Sequence, residues 1–368
     1  MPNSSSQIAI NGRFLSQVMV GVQRVAIEVT KAMDRWLETP DYAALKGRIE
    51  ILAPPNARDF ALANIAVRKV GVLTGYPWEQ IELPLYAGRR LLVNICLLGP
   101  VVKRHQLILA HDATVRSMPS NFSAQFRTAY NFLVPLLLRN SDQVVTISEF
   151  SRREIQKYYG IDTSRVPVCY EGADHITAIA PDNSIIDRLN LRDRPFFLGV
   201  GINSRNKNIE NAIAAFLKSG LADTLFVLTG HKELRVFGYA PETTHANVRM
   251  AGYVSDGELR ALYEHALALV FPSRYEGFGL PPVEAMQCGC PVIVSDQEAL
   301  VEIGGDAVRV CGMDDIDDLA SAMRSIHDDP ELRARMKAAS LTRAKTFTWA
   351  KMARRLLDLC VDTHRRAT

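Results

Sequence analysis

The sequence carries little net charge. Its 43 Lys and Arg side chains nearly balance 40 Asp and Glu, which leaves a formal charge of +3 over 368 residues. Nothing in this balance indicates nucleic-acid binding, which depends on a concentrated basic surface. Residues 1–175 hold 20 basic against 15 acidic side chains, and the remainder holds 23 against 25. A mildly basic first half fits an anionic acceptor, an anionic membrane surface or an ordinary solvated surface.

Long apolar runs are also missing. A membrane-spanning helix needs ~20 consecutive apolar residues, and the longest runs here, at 91–102 and 132–138, are interrupted or too short. The first seven residues have neither the charged start nor the apolar core of a signal peptide. We therefore expect a cytoplasmic protein and leave open peripheral contact with the inner face of the cell membrane.

The sequence lacks the cysteine spacing of a zinc site, because its six cysteines are scattered. Cys288 and Cys290 are separated by one glycine, which is too short for a usual ligand pair. Buried free thiols in a reducing compartment account for the set. No metal and no other cofactor are expected.

Apolar runs of strand length alternate with helical patterns along the whole chain, which is typical of α/β proteins. Its length suffices for two domains of ordinary size. We predict a first Rossmann-like domain at residues 1–175, ending in a strand at 165–174. A linker rich in Pro, Asp and Asn follows at 176–194, and a second Rossmann-like domain occupies 195–346. The two domains are expected to face a cleft, and 347–368 form a last amphipathic helix.

The clearest pattern lies at residues 266–296. An apolar run ending at Phe271 predicts a strand, Gly277 and Gly279 predict a sharp turn, and 283–287 predict a helix that leads to a second strand. A turn that feeds a helix N-terminus presents N–H groups and a partial positive charge, so it suits a phosphate.

Two carboxylates flank this turn. Glu276 precedes the glycines, and Glu284 is expected in the first helical turn. Carboxylates accept hydrogen bonds from sugar hydroxyls, so a diphosphate with a sugar on each side fits the order acid, turn, acid. The alternative is that Glu284 only stabilises the helix dipole and Glu276 is a solvated loop residue.

The segment Pro-Ser-Arg-Tyr-Glu-Gly-Phe-Gly-Leu-Pro-Pro-Val-Glu-Ala-Met, residues 272–286, is similar to the signature of retaining glycosyltransferases of family four. These enzymes have the GT-B architecture. The resemblance implies that Glu276 contacts hydroxyls of the transferred sugar and that Glu284 binds the nucleotide ribose. It further implies a set of backbone contacts to donor phosphate and sugar, at Gly277, Phe278, Gly279 and Leu280.

A predicted strand at 106–110 ends in His111 and Asp112. Ligands of parallel sheets bind beyond the carboxyl ends of strands, although a satisfied histidine at a strand end is the commoner finding. The family has a His-Asp pair here that faces the reacting sugar. The resemblance therefore implies that His111 contacts donor sugar or acceptor, while Asp112 orients the imidazole or binds acceptor.

Two further glycine turns extend the candidate site. Gly21 begins a helical pattern that resembles the family's first glycine loop, which places Gly21 in the donor or acceptor cleft and Arg24 on the acceptor side, unless Arg24 is a surface arginine. The turn after the strand at 195–201 carries Arg205 and Lys207, which can neutralise a diphosphate. Family members place a lysine where Lys207 stands, whereas Arg205 is displaced by one residue from the family position.

The GT-B resemblance also bears on the end of the chain. It implies that the last helix crosses back to the first domain. Asp315 and Asp317 imitate the Asp-x-Asp metal site of the other large glycosyltransferase architecture, but they precede a predicted helix. Acids at a helix N-terminus account for them better than a metal does.

We therefore predict a retaining glycosyltransferase that moves a hexose from a nucleotide-diphospho-sugar to a glycan or lipid-linked glycan in cell-surface polysaccharide synthesis. The pattern is most similar to bacterial mannosyltransferases, so GDP-mannose is the first donor, with UDP-hexose and dTDP-rhamnose as alternatives. The resemblance implies that the donor phosphate helps to deprotonate the acceptor. A GT-B epimerase or phosphorylase, and a non-catalytic partner protein that keeps the fold, are the other classes.

Overall fold

The chain folds around two parallel β-sheets. The computed structural model describes residues 7–201, 205–230 and 245–367. The chain divides into two units, of which the first consists of Met1–Ser117, Ser123–Gly172 and Trp349–Thr368, and the second of Met118–Phe122 and Ala173–Thr348. In its described residues each unit has one six-stranded sheet.

The sheet of the first unit has the strand order β3-β2-β1-β4-β5-β6, with every neighbouring pair parallel. All its strands except the edge strand β3 are buried throughout, as expected when helices cover both faces of a parallel sheet. The strands are β1 (Ile8–Asn11), β2 (Ile49–Ala53), β3 (Ala66–Lys69), β4 (Leu91–Asn94), β5 (Gln106–Ala110) and β6 (Gln143–Thr146).

The helices of this unit include one long helix with an internal proline, Pro135. A π-helical turn, Trp78–Glu82, joins two short helices and buries Trp78, whose indole Nε1 donates to Val70 O at 2.8 Å. The helices are α1 (Gly21–Trp36), α2 (Gly75–Pro77), α3 (Leu83–Ala87), α4 (Thr114–Ser117), α5 (Ala124–Asn140) and α6 (Glu149–Tyr159).

The strand expected at 165–174 does not form. Backbone pairing there is limited to one parallel bridge between Thr146 and Val168. Two hydrogen bonds make it, from Thr146 N to Pro167 O and from Cys169 N to Thr146 O. Pro167 has no N–H to donate, so it interrupts a ladder that an apolar pattern alone would predict.

The sheet of the second unit is likewise parallel, in the order β12-β11-β10-β7-β8-β9. Its strands are β7 (Phe196–Val200), β8 (Leu225–Thr229), β9 (Val248–Gly252), β10 (Ala268–Phe271), β11 (Val292–Ser295) and β12 (Arg309–Cys311). Its helices are α7 (Ser184–Arg188), α8 (Ile209–Ser219), α9 (Asp256–His265), α10 (Leu280–Gln287), α11 (Glu298–Gly304), α12 (Ile316–Asp328) and α13 (Pro330–Ala344).

The last helix, α14 (Trp349–Ala367), belongs to the first unit. The Trp36 indole donates to Ala350 O at 2.8 Å, and the Tyr42 hydroxyl donates to Asp358 Oδ1 at 2.5 Å. Leu356 and Cys360 on the same helix are fully buried. The expected return of this helix to the first domain is therefore confirmed.

The order of strands locates a crevice in each sheet. In the first, the chain runs outward from β1 to β3 on one side and from β4 to β6 on the other. In the second, it runs from β7 to β9 and from β10 to β12. Ligands of such sheets bind beyond the carboxyl ends of the strands where the order reverses. The loops that follow β1 and β4, and those that follow β7 and β10, are thus the places to look for a site.

Candidate active site

The loops that follow β7 and β10 are bonded to each other. Arg274 N donates to Asn206 O at 2.6 Å, and the Ser273 hydroxyl donates to the same carbonyl at 2.9 Å. In return, the Asn206 amide donates to Tyr275 O at 3.0 Å. These bonds connect two loops that are almost 70 residues apart in sequence, and so they fix Lys207 against Glu276.

Lys207 and Glu276 form an ion pair with 2.6 Å between Nζ and Oε1, and both side chains are largely buried. The Ser273 hydroxyl donates to the same carboxylate oxygen at 2.6 Å. The Lys207 ammonium also lies 4.6 Å from the centroid of the Phe271 ring, a favourable cation–π distance. Glu276 is therefore a held carboxylate at the crevice, and the alternative of a solvated loop residue is wrong.

The glycine turn is closely packed, and Gly277, Phe278 and Gly279 are all buried. Gly279 has φ +105°, and a Cβ built there would lie 2.7 Å from Leu300 Cδ2, so no larger residue fits without strain. Phe278 is 2% exposed and packs edge-on against the ring of Phe347. Helix α10 then begins at Leu280. The Phe278 side chain is therefore part of the core, and any ligand contact at this residue would be made by its backbone.

The position of Glu284 within α10 differs from the expectation. The helix begins three residues before the predicted Val283, because Pro281 and Pro282 fit the first turn, where a missing N–H costs nothing. Glu284 consequently lies in the second turn. Its distance from the helix N-terminus weakens the interpretation that it only stabilises the dipole, an effect confined to the first turn.

Two side chains that no sequence pattern indicates hold the Glu284 carboxylate. The Tyr263 hydroxyl donates to Oε2 at 3.2 Å, and His175 Nε2 lies 3.2 Å from Oε1. Burial and the nearby Glu284 charge raise the pKa of Tyr263 well above its usual value, so this hydroxyl keeps its proton. No spacing pattern links residues 175, 263 and 284, and only the fold brings them together.

Arg205 is the first residue of a short 3₁₀ helix that ends at Lys207. Its side chain lies outside the described part of the structure, so its predicted contact with a diphosphate stays a prediction.

In the first unit, His111 follows β5 and is buried together with Glu171. Nδ1 lies 3.1 Å from Glu171 Oε1, and Nε2 lies 2.7 Å from Ile95 O. Because a carboxylate and a carbonyl only accept hydrogen bonds, both ring nitrogens act as donors and the imidazole is an imidazolium. Burial alone would lower the pKa of His111, but the hydrogen bond and charge of Glu171 outweigh it and raise the pKa.

The expectation that Asp112 orients this imidazole is wrong. Asp112 Oδ1 instead accepts from Thr114 N at 2.8 Å, as a cap at the start of α4. Glu171 is the orienting carboxylate. It lies 60 residues from His111 in sequence, in the segment that was expected to be a strand.

The crevice of the first sheet also holds a buried polar cluster that the sequence did not indicate. The Asn11 amide donates to Glu79 Oε1 and to Asn94 Oδ1, both at 2.9 Å. Arg13 pairs with the same Glu79 oxygen at 2.9 Å, and its guanidinium lies 4.4 Å from the centroid of the half-exposed Tyr76 ring. Burial raises the pKa of Glu79, although Arg13 and Asn11 oppose the rise. The cluster fixes one guanidinium beyond β1 and β4.

Gly21 and Arg24 lie in the same unit. Gly21 is the first residue of α1, and a Cβ built on it would meet nothing within 4 Å, so packing does not require glycine there. Arg24 is partly buried in the first turns of that helix, where its N–H donates to Val20 O at 2.9 Å. The structure thus groups Gly21, Arg24, His111 and Asp112 in the first unit and the remaining candidates in the second.

Asp315 caps helix α12, and Asp317 lies in the first turn of that helix. Asp315 Oδ1 accepts from Asp318 N at 2.8 Å, which confirms the interpretation of Asp315 as a helix N-terminal acid. Asp317 pairs with Lys218 at 2.6 Å. Among the described residues, no three His, Cys, Asp or Glu side chains are grouped as metal ligands. The six cysteines are free thiols, four of them buried.

Part of the chain matches a known protein family. Residues 182–343 match the model of the family described as Glycosyl transferases group 1. They are a group 1 glycosyltransferase domain. Glu276, Glu284 and Lys207 all lie inside this matched range. So does the glycine turn.

Several sequence relatives of this chain are bacterial mannosyltransferases. O-antigen chain mannosyltransferase B of Escherichia coli is 32% identical over 223 residues, which cover 58% of this chain and 58% of the relative. O-antigen chain mannosyltransferase RfbU of Salmonella typhimurium is 28% identical over 269 residues, 70% of this chain and 71% of the relative. The serotype-specific mannosyltransferase WbdA of Escherichia coli is matched over only 38% of its own length.

Solved structures establish the fold of the chain. WaaG, a glycosyltransferase involved in lipopolysaccharide biosynthesis, superimposes with a TM-score of 0.70 at 16% identity and covers 96% of this chain and 99% of its own. At this identity the likeness shows the fold alone, and it confirms the GT-B architecture. In the described residues, no helix has the length and apolar character needed to cross a membrane.

Proposed function

We propose that the chain is a retaining glycosyltransferase that moves a hexose from a nucleotide-diphospho-sugar to a glycan or lipid-linked glycan, in the synthesis of a cell-surface polysaccharide. The observation that supports this best is the pairing of Lys207 with Glu276 at 2.6 Å beside the glycine turn. One ammonium, one held carboxylate and a backbone turn stand together where the strand order of the sheet reverses. This is the set of groups that a sugar diphosphate requires.

The roles follow from charge. When the bond between the sugar and the diphosphate breaks, negative charge develops on the leaving diphosphate, and fixed cations and amides there lower the barrier. Lys207 and Arg205 are the proposed cations, and the amides of 277–280 the proposed donors. Glu276 is proposed to accept hydrogen bonds from hydroxyls of the transferred sugar, and Glu284 from hydroxyls of the ribose.

The first unit is proposed to receive the acceptor. Its candidates are His111, Gly21, Arg24 and Asp112. Since both nitrogens of His111 donate to protein groups, its proposed contribution is the charge of an imidazolium rather than that of a base. The Asp112 carboxylate is committed through one oxygen to Thr114 N, and its other oxygen is the atom proposed to accept from an acceptor hydroxyl.

Mannose is the proposed sugar and GDP-mannose the proposed donor. The support is that both O-antigen relatives described above are named mannosyltransferases. UDP-hexose and dTDP-rhamnose are the alternative donors. No metal is proposed, because the cation that faces the diphosphate is supplied by Lys207.

Peripheral membrane contact is proposed for the first unit. Val72 and Leu73 donate their backbone N–H groups to Glu82 at 2.9 to 3.1 Å, and Val101 N donates to the Gln80 side chain at 3.1 Å. These bonds gather one exposed apolar surface, formed by Val72, Leu73, Ile81, Leu85 and Val102. Two exposed arginines are close to it in sequence, Arg89 after Leu85 and Arg104 after Val102, which suits an anionic lipid surface. Loss of sedimentation with phosphatidylglycerol vesicles in an Ile81→Ser/Leu85→Ser variant would support this contact, and unchanged sedimentation would refute it.

The deciding experiment is a donor panel. The protein is incubated with GDP-mannose, UDP-hexoses and dTDP-rhamnose, with a lipid-linked glycan as acceptor, and release of nucleoside diphosphate is measured. Release from one donor is expected, and silence across the panel would refute the transferase. An epimerase would convert the donor without releasing diphosphate, a phosphorylase would depend on added phosphate, and a non-catalytic partner would do neither.

A further inference from the structure

The Glu284 carboxylate is built as a fixed group. It is 7% exposed, and each of its oxygens meets one donor from a different part of the second unit. Tyr263, on α9, approaches Oε2, and His175, just before the 3₁₀ turn Ile176–Ala178, approaches Oε1. Both contacts are at 3.2 Å. A side chain that is held at both oxygens cannot rotate about its last bond without losing both partners.

The two donors are themselves immobile. Tyr263 is fully buried and His175 is 6% exposed. Neither has enough exposed surface to act as a principal ligand contact. Their polar atoms would be costly to bury without a partner, so their contacts with Glu284 account for their presence in the core.

The geometry of a carboxylate completes the argument. Each oxygen has two lone-pair directions, so a carboxylate that accepts one internal bond on each oxygen keeps one acceptor direction on each. Two parallel acceptors match a pair of neighbouring hydroxyls. The two internal donors thereby set the plane in which the carboxylate meets such a pair.

We infer that Tyr263 and His175 are positioning residues that orient the Glu284 carboxylate for bidentate recognition of the ribose hydroxyls of the donor nucleotide. This inference rests on the proposed function, since it takes Glu284 as the ribose contact. It adds the two residues on which that contact depends. Neither residue touches the donor.

The test measures how strongly the protein distinguishes a ribose from a deoxyribose. Dissociation constants for GDP and 2′-deoxy-GDP (UDP and 2′-deoxy-UDP for a uridine donor) are measured by calorimetry for wild type and for Tyr263→Phe. We expect Tyr263→Phe to weaken binding of the ribose form about tenfold, the effect of one hydrogen bond to a charged group. Binding of the deoxy form should weaken much less, so the preference for ribose shrinks.

A matched control is Tyr159→Phe. Tyr159 is also buried, at 3% exposure, and its hydroxyl has no hydrogen-bond partner among the described residues. This variant should leave both dissociation constants unchanged. His175→Gln, which keeps an N–H donor, should retain more of the ribose preference than His175→Leu, and this pair also tests the inference if Tyr263→Phe fails to fold.

The outcomes separate this inference from the transferase proposal. If wild type binds neither form of the nucleotide whose sugar the donor panel identifies, the transferase proposal fails. If wild type prefers the ribose form and the folded variants keep that preference in full, the positioning role is refuted while the transferase stands. Equal loss of affinity for both nucleotides in Tyr263→Phe would show a merely structural residue, and equal wild-type affinity for both would remove Glu284 from the ribose.

Discussion

The pair of His111 and Glu171 gives the sharpest prediction about pH. Replacing Glu171 by Gln removes the charge but keeps the shape, and the amide can then donate to Nδ1 while Nε2 still donates to the Ile95 carbonyl. All hydrogen bonds of a neutral His111 are satisfied in this variant. An imidazolium in the same place would face the donating amide with its own Nδ1–H, so that hydrogen bond would be lost.

The sign of the effect follows from the raised pKa of His111. A histidine with a raised pKa in the folded state stabilises the protein fully below its ordinary pKa of ~6.5, and this stabilisation is lost as pH rises through the folded value. In Glu171→Gln, burial lowers the pKa of His111 with no carboxylate to oppose it, so protonation becomes a cost. The variant should therefore be less stable than wild type at low pH and close to wild type at high pH.

The size of the effect is set by burial. Side-chain exposures of 8% and 5% leave the pair little screened by solvent. A hydrogen bond between charged groups contributes about 2 kcal/mol. For a unit of this size, that corresponds to a difference in Tm of roughly 4–8 °C at pH 5.5.

The assay is a series of thermal melts from pH 5.5 to 8.5 for wild type and Glu171→Gln. The matched control is Glu50→Gln, because Glu50 is also buried and pairs with the guanidinium of Arg68 at 3.2 Å, and an arginine does not titrate in this range. The difference in Tm between Glu50→Gln and wild type should be constant with pH. If the Tm deficit of Glu171→Gln is constant, or grows as pH rises, the charged pair is refuted.

Three further predictions concern the second unit. Glu276→Gln should lower kcat by about 100-fold or more in the donor assay, measured at a temperature where the variant is folded, and wild-type turnover would remove Glu276 from the site. Full activity is expected in EDTA, whereas strict dependence on added Mg²⁺ or Mn²⁺ would refute metal-independent transfer. Gly279→Ala should lower the free energy of unfolding by about 2 kcal/mol in urea, because φ is +105° and Leu300 Cδ2 lies 2.7 Å from the added Cβ. Gly21→Ala, whose Cβ meets nothing within 4 Å, should leave that energy nearly unchanged.

Features confined to a short stretch of sequence were predictable. Buried strands such as β5 and β10 are apolar runs, and the turn at 277–280 is marked by its own glycines. Lys207 and Glu276 could be selected because each stands at a fixed offset from a glycine. Helix α10 begins three residues before the predicted Val283, because Pro281 and Pro282 form part of its first turn.

Features that depend on distant pairs were not predictable. Glu171 meets His111 across 60 residues, and Tyr263 meets Glu284 across 21. The partner of a buried polar group is decided by which strands and helices are neighbours, and strand order is not written in the local pattern. Asp112 was selected as the orienting acid because it is adjacent in sequence, whereas a helix start competes for its carboxylate.

The same contacts explain why two carboxylates can flank a site for a diphosphate. The Glu276 carboxylate forms an ion pair with Lys207 and accepts a hydrogen bond from the Ser273 hydroxyl, both at 2.6 Å. These two contacts reduce its negative potential at the turn. Glu284 has His175 and Tyr263 as donors on its two oxygens. Each acid therefore accepts hydrogen bonds from protein groups, and under the proposed function its remaining acceptor capacity serves hydroxyl groups. Under the proposed function, these contacts reduce the repulsion expected from two bare acids, and the order acid, turn, acid would suit an anion that carries a polyhydroxylated group on each side.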